Sequence, residues 1–192
     1  MRKVVYSMMT SLDGFIETPP QHNPNPLDWV IIDQEIHEFA NQEARDSGVF
    51  LYGRRLYENM AAFWPTADTL PDQPGFVVDF ARIWKPKPKV VFSTTLEKVD
   101  WNSRLVSGNV AEEVAKLKQE PGCHLSVGGA TLAASLIELG MVDEYRLLVN
   151  PVILGGGTRF FPPISDRINL RLVETLTFGS GVVYMQYETR SR

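Results

Sequence analysis

Cysteine is nearly absent from this sequence: Cys123 is the single cysteine among 192 residues. One thiol cannot form an internal disulfide, so the sequence favours a reducing, cytoplasmic setting over a disulfide-stabilised secreted fold. Histidine is almost as scarce, and His22, His37 and His124 lie far apart without ligand spacing to Cys123. A dedicated metal site is therefore not expected.

Long charged runs and long hydrophobic runs are also missing. The net charge is −4 and charged residues make up 22% of the chain, so neither nucleic acid nor a membrane is expected as a partner. The opening MRKVVYSMMTSLDG breaks its apolar run with Ser7, Thr10, Ser11 and Asp13, too early for the hydrophobic region of a secretory signal. No repeat or linker divides the chain, which predicts one domain over residues 1–192.

Three well-known phosphate-binding or catalytic motifs do not occur. The chain contains no G-x-G-x-x-G, no G-x-x-x-x-G-K-[ST] and no G-x-S-x-G. An ordinary Rossmann cofactor site, a P-loop and a nucleophile elbow are thereby disfavoured.

What the sequence does contain is an alternation of short apolar segments with segments of helical period. Strands are predicted at 3–9, 49–52, 90–93, 125–127, 145–153, 171–178 and 182–188, and helices at 33–44, from residue 54, near 76–84, at 110–118 and at 131–139. Strands alternating with helices predict an α/β fold with a mostly parallel sheet, and the last two strands predict an antiparallel hairpin at one edge.

Glycine-containing turns follow three of the predicted strands. They are Gly53, the pair Gly128 and Gly129, and the triplet at 155–157. In open α/β sheets, ligands bind beyond the carboxyl ends of strands, where helix N-termini present unpaired N–H groups. A glycine pair without Cβ atoms lets backbone approach a pyrophosphate, and Thr131 adds a hydroxyl. For the pair alone, a tight turn with no ligand is the alternative.

Taken in order, five segments are similar to those of the dihydrofolate reductase superfamily. They are SLDGFI at 11–16, YGRRLYEN at 52–59, VFSTT at 91–95, SVGGATL at 126–132 and GGGTRFFP at 155–162. The chain most resembles the reductase domain of the bifunctional riboflavin-biosynthesis deaminase-reductases. This resemblance implies a single-domain, three-layer fold with helices on both faces of a mostly parallel sheet and a C-terminal antiparallel hairpin.

The resemblance also implies NADPH as the cofactor. Arg54 and Arg55 stand at a helix start, where positive charge opposes the helix dipole unless an anion such as a 2'-phosphate compensates it. Ser93 and Thr94 would add hydroxyl donors. Two solvated surface arginines are the alternative explanation. The residues expected to bind the cofactor are Met9, Ile16, Gly53, Arg54, Arg55, Ser93, Thr94, Gly128, Gly129, Ala130, Thr131 and Leu132.

The substrate side is expected between residues 15 and 32, a proline-containing stretch that reads as one long loop and corresponds to a lid in the resembled enzymes. Asp33 matches the position of the superfamily's proton-handling carboxylate, with Asp28 as a rival, while a plain helix N-cap is the structural alternative for Asp33. The expected substrate-binding residues are Asp33, Trp64, Leu147, Gly156 and Arg159.

The chain departs from true dihydrofolate reductases at two places. Lys87 and Lys89 stand near the place of the arginine that holds the folate tail, and Ile36 and His37 replace the aromatic residue one turn beyond the helix carboxylate, so a folate substrate is not expected.

The resemblance implies instead an NADPH-dependent reductase that transfers hydride to a C=N or C=O group of a small pyrimidine- or pterin-like heterocycle. It also implies a homodimer. Two alternatives stay open: a non-catalytic NADP(H)-binding or sensing protein on the same fold, and binding of another phosphorylated ligand at Gly128 and Gly129.

Overall fold

The structure is a computed structural model that describes residues 1–19 and 25–190. The strands are β1 (Val4–Ser11), β2 (Phe15–Glu17), β3 (Val49–Gly53), β4 (Lys89–Phe92), β5 (Ser103–Val106), β6 (Leu125–Gly128), β7 (Glu144–Asn150), β8 (Thr158–Arg159), β9 (Leu170–Thr177) and β10 (Val183–Thr189). The helices are α1 (Gln34–Asp46), α2 (Arg54–Ala67), α3 (Gly75–Trp84), α4 (Val110–Gln119) and α5 (Ala130–Glu138).

Eight strands form one sheet in the order β5-β4-β3-β6-β1-β7-β10-β9. The strands from β5 to β7 pair in parallel, and β10 pairs antiparallel with both β7 and β9. The two shortest strands, β2 and β8, form a separate antiparallel pair. The predicted α/β architecture, with a mostly parallel sheet and a C-terminal antiparallel pair, is confirmed.

Helices cover both faces of the sheet, as the resemblance implied. On one face, α1, α2 and α3 pack against side chains such as Tyr52, Val91 and Leu148. On the other face, α4 and α5 pack against residues that include Leu51 and Val127. Burying apolar side chains on both sides is the main stabilising contribution in such a sheet, at about 25 cal/mol per Å² of apolar surface removed from water.

The helix ends follow from local sequence. Asp33 is the N-cap of α1, and its Oδ1 accepts a 2.8 Å hydrogen bond from the backbone N–H of Ile36. Past the end of α5, Gly140 adopts a φ of +64°, which an L side chain rarely does. The backbone N–H groups of Gly140 and Met141 then bond to carbonyls of the last helical turn. Gly140 therefore ends α5.

Three short strands escape the sequence-based prediction. The stretch expected to be one long loop contains β2, while its segment 20–24, which holds Pro20, His22 and Pro24, lies outside the described residues. Strands β5 and β8 have four and two residues, too few to show a period. One strand is shorter than predicted. Strand β7 ends at Asn150 rather than at residue 153, because Pro151 cannot donate a hydrogen bond to the ladder.

The amino-terminal edge of the sheet is held by charged groups. The guanidinium of Arg146 bonds to Glu144 at 2.6 Å and to Glu43 of α1. Beside it, burial together with the nearby Arg146 charge lowers the pKa of His124 to about 4. A second polar feature is Lys89, whose buried Nζ donates to the carbonyls of Trp84, Lys87 and Trp101 at 2.7–2.8 Å.

Candidate functional site: a cleft at the carboxyl edge of the sheet

A cleft of about 680 Å³ lies where β1, β3, β4 and β6 end. Because parallel strands all end at the same edge, the turns after β3, β4 and β6 come together although they are far apart in sequence. The lining residues from these turns and the adjoining helices are Gly53, Arg54, Arg55, Leu56, Glu58, Asn59, Ser93, Thr94, Thr95, Gly128, Gly129, Ala130, Thr131, Leu132 and Ser135. Phe92 and Val110 also line the cleft, as do Met8, Ile16, Glu17 and Thr158.

The N-terminus of α2 faces this cleft without a side-chain cap. Gly53 is its N-cap and makes no capping hydrogen bond, and the first turn contains no acidic residue. The unpaired N–H groups and the helix dipole are therefore left to attract an anion. Arg54 and Arg55 follow directly and line the same cleft.

The Arg54 guanidinium lies between two elements of the cleft wall. Its Nε donates to Glu58 at 2.9 Å, and its Nη1 donates to Thr95 Oγ1 at 2.9 Å. Ser93 stabilises that turn, since its Oγ accepts from the backbone N–H groups of Thr95 and Leu96. Ser93 and Thr94, both expected from the sequence, line the cleft, and Thr95, which no sequence pattern singled out, contacts the arginine.

The glycine pair forms the uncapped N-terminus of α5. Gly129 is the N-cap, with a φ of +88° that favours glycine, and it makes no side-chain capping bond. Gly128 has a different requirement, because a Cβ added there would overlap the side chain of Leu56 and crowd Tyr52. The protein's own packing therefore explains the absence of a side chain at 128, while the exposed helix N-terminus after Gly129 offers N–H groups to a ligand.

One expected cofactor residue lies elsewhere. Met9 is the residue expected from the resemblance, but in β1 it is Met8 that lines the cleft. Met9 packs on the opposite face with the cluster around Ile36 and Leu148. Successive residues of a strand point to opposite faces, so an error of one residue reverses the side. Ile16 lines the cleft as expected.

The five expected substrate residues do not line this cleft. Asp33 caps α1, which is the structural alternative considered for it. The Trp64 ring packs 4.3 Å from that of Phe80 of α3, and Leu147 lies beside Met8 in the sheet.

The other two lie on the loop that connects β7 to β8 and on β8 itself. The Arg159 guanidinium stacks 4.9 Å above the Phe15 ring. Gly156 lies in the preceding turn, where an added Cβ would lie 3.8 Å from Pro19 Cγ. The structure therefore brings the expected cofactor residues together, apart from Met9, and places none of the expected substrate residues in the lining of this cleft.

Two carboxylates to which no sequence pattern assigns a role hold the β1–β2 segment against this loop. Asp13 accepts from the N–H groups of Leu154 at 3.1 Å and Gly155 at 2.8 Å, and from the Ser11 hydroxyl at 2.7 Å. The Ser11 hydrogen bond, aided by the two backbone donors, lowers the pKa of Asp13 to about 2. Glu17 lines the cleft and accepts from the Thr158 hydroxyl.

Lys87 and Lys89, which stand near the position of the folate-binding arginine, both have structural roles. Lys87 Nζ donates to the carbonyls of Arg45 and Ser47. Among the described residues, no group of three or more His, Cys, Asp and Glu side chains is arranged to hold a metal ion. Within residues 1–19 and 25–190, no helix is both long and apolar enough to cross a membrane.

The sheet order, the two-sided helix layers and the cleft define a dihydrofolate-reductase-like α/β protein. The chain belongs to the RibD C-terminal domain family, which it matches over residues 2–184. It is 36% identical over 192 residues to the uncharacterized protein YyaP of Bacillus subtilis, covering 97% of this chain and 94% of that one.

Two solved structures share its fold. A putative riboflavin biosynthesis protein from Shewanella sp. PV-4 is 19% identical, with a TM-score of 0.72, and the match covers 98% of this chain and 99% of that chain. Dihydrofolate reductase from Enterococcus faecalis, complexed with NADP(H), is 16% identical, with a TM-score of 0.63 and coverages of 98% and 97%. The expected membership of the dihydrofolate-reductase-like fold, in the riboflavin-reductase branch, is confirmed.

Proposed function

We propose that the protein is an NADPH-dependent reductase that transfers hydride to a C=N or C=O group of a small pyrimidine- or pterin-like heterocycle. The observation that carries the proposal is the meeting of two uncapped helix N-termini, those of α2 and α5, in one cleft with Arg54. Such an arrangement suits a ligand with several phosphates. Two findings support a reductase. The chain belongs to the RibD C-terminal domain family, and it shares its fold with a putative riboflavin biosynthesis protein and a dihydrofolate reductase.

The residues present suit a 2'-phosphorylated dinucleotide. Arg54 and the Thr95 hydroxyl would bind the 2'-phosphate by charge-assisted hydrogen bonds. The N–H groups after Gly53 and Gly129 would bind the pyrophosphate. Met8 and Ile16 would supply apolar contacts at the end of the cleft near β1. The cofactor would supply the hydride, and the chain would orient it.

Asp33 remains the proposed proton-handling residue. Its Oδ1 accepts a hydrogen bond from the backbone N–H of Ile36. The second carboxylate oxygen would then exchange a proton with the substrate. Because Asp33 does not line the cleft, this role requires a substrate that lies between the N-terminus of α1 and β1. A cytoplasmic setting, which keeps the exposed Cys123 thiol reduced, belongs to the same proposal.

The alternative is a non-catalytic NADP(H)-binding or sensing protein, which would retain this cleft on the same fold without efficient turnover.

The two functions are distinguished by binding and by turnover. NADPH should raise the thermal midpoint, since a ligand at a hundredfold excess over its dissociation constant adds about 3 kcal/mol. NADH should raise it much less. Absorbance of NADPH is then followed with pterins, pyrimidines and simple carbonyls. If NADPH stabilises the protein but none of these compounds causes its oxidation, the sensing protein is supported. If NADPH does not stabilise the protein, both proposals fail.

We also propose a homodimer that forms through β9. This strand is an edge of the sheet, and its Leu172, Val173 and Leu176 are 51%, 42% and 38% exposed. Two copies that pack along this edge would remove these side chains from water. Light scattering should give a dimer for the wild type and a monomer for Leu172→Arg, while Leu139→Arg, at an equally exposed leucine that follows α5, stays dimeric. A monomeric wild type removes this proposal.

A further inference from the structure

A carboxylate reaches across the candidate cleft from the end of β2. Glu17 Oε1 lies 3.4 Å from Nη2 of Arg55, on the first turn of α2. Its other oxygen, Oε2, accepts a 3.1 Å hydrogen bond from the Thr158 hydroxyl. Glu17, Arg55 and Thr158 all line the cleft. The ion pair therefore connects the β2–β8 pair to α2 over the opening between them.

The two partners of this ion pair differ in how firmly they are held. Glu17 pairs with Thr158 in the β2–β8 ladder, and a Cβ added at Gly157 would overlap the carbonyl oxygen of Glu17. The Glu17 side chain is 24% exposed, whereas that of Arg55 is 72% exposed. The carboxylate is therefore fixed by its backbone and by Thr158, and the arginine is the partner that can move away.

Among residues 1–19 and 25–190, the charged side chains that line the cleft balance to zero. They are Arg54 and Arg55 against Glu17 and Glu58. The Arg54–Glu58 pair lies within α2, at a spacing of four residues. The Arg55–Glu17 pair joins two separate elements. A phosphate that binds at the N-terminus of α2 must therefore compete with the Glu17 carboxylate for the Arg55 guanidinium.

We infer that Glu17 is a counter-carboxylate that weakens binding of a dinucleotide by competing with its phosphate for Arg55. This inference rests on the proposed function, since it concerns the same cleft, and it assigns to Glu17 a part in setting the affinity for the cofactor. When phosphate binds, Arg55 exchanges the carboxylate for phosphate oxygens, and the link from β2 to α2 is released. A partly exposed ion pair contributes little free energy, so the exchange is inexpensive and reversible.

The test is Glu17→Gln, which removes the charge and retains the shape of the side chain. NADPH should bind about two- to tenfold more tightly to Glu17→Gln than to the wild type at low ionic strength. The difference should shrink in high salt, because salt screens exposed charges. The Arg55→Ala background supplies the control: there, Glu17→Gln should have little effect, because the group for which the carboxylate competes is gone.

Inorganic pyrophosphate separates this inference from the proposed function. If NADPH does not bind to the wild type, the proposed reductase fails, and the competition is still measured with pyrophosphate by calorimetry. Tighter binding of pyrophosphate to Glu17→Gln supports the inference. Unchanged or weaker binding, an equal gain in the Arg55→Ala background, or no binding of either probe to any variant overturns it.

Discussion

The Asp13 carboxylate accepts a 2.8 Å hydrogen bond from the backbone N–H of Gly155, although 142 residues separate the two along the chain. Asp13 belongs to the turn after β1, and Gly155 belongs to the glycine triplet before β8. A second bond from the N–H of Leu154 to the same carboxylate strengthens the link. Through this one side chain, the turn after β1 fixes the loop that precedes Thr158 of the cleft.

Replacement of Asp13 by Ala should loosen this loop. Two backbone N–H groups would lose a charged acceptor, which predicts a loss of about 1–2 kcal/mol in the free energy of unfolding. Hydrogen exchange of the amides at 154 and 155 should become faster, whereas amides in α4 keep their rates. An unchanged exchange rate at Leu154 would show that another contact holds the loop.

Replacement of Arg54 by Ala should reduce the preference for NADPH over NADH. Loss of a charge-assisted bond to the 2'-phosphate predicts weaker NADPH binding by about tenfold or more, with little change for NADH. Fluorescence titration of both nucleotides measures this ratio. The matched control is Arg82→Ala, at an exposed position on α3. An unchanged ratio in Arg54→Ala would remove the proposed role of Arg54.

Replacement of Lys89 by Met should destabilise the fold by about 2–4 kcal/mol, because three carbonyl oxygens lose their donor in the interior. The buried Lys89 ammonium also lies 3.9 Å from the Trp84 ring, and burial lowers the pKa of Lys89 to about 8. Urea denaturation gives the difference. Lys116→Met, which removes a lysine paired with Glu112 on the exposed face of α4, serves as the control and should leave the midpoint unchanged. Equal midpoints for the two variants would contradict the assigned role of Lys89.

His124 predicts a specific dependence of stability on pH. Its folded pKa of about 4 lies below the ordinary value of 6.5, so the unfolded chain binds a proton in this interval and the folded chain does not. Stability contributed by the neutral imidazole is therefore present above pH 6.5 and lost as the pH falls toward 4. His124→Gln should show a shallower loss of stability across this interval than the wild type, in urea titrations at about pH 4.5, 5.5 and 7. Parallel pH profiles would show that His124 titrates normally in the folded state.

The sequence predicted most of the architecture, because long elements with a clear period carry strong signals. The helix at 110–118 and the final hairpin are examples, and both are found nearly at the predicted bounds. The run VVYSMM does not indicate which of its side chains face which side of the sheet. As a central strand, β1 is apolar on both faces, so nothing in its pattern distinguishes Met8 from Met9.

The candidate site was predictable where a turn supplies backbone N–H groups to the cleft, as at Gly53 and at Gly129. It was not predictable where the pairing of distant strands brings a side chain to the cleft. Glu17 reaches the cleft only because β2 pairs with β8, two strands that are short and lie far apart in sequence. Gly128 shows a related difficulty, since its demand for glycine comes from Leu56, which no local pattern reveals.

The central position of β1 has a consequence for the order in which the protein is made. Within the described residues, β1 precedes its sheet partners β6 and β7 in the chain and pairs with them through residues such as Val4 with Leu125 and Val5 with Glu144. Until those strands leave the ribosome, β1 has both edges unpaired and its apolar side chains uncovered. Contacts over such long sequence separations form slowly. A nascent chain therefore completes its cleft only after β6, α5 and β8 have emerged, and β1 depends on protection from aggregation until β6 and β7 can pair with it.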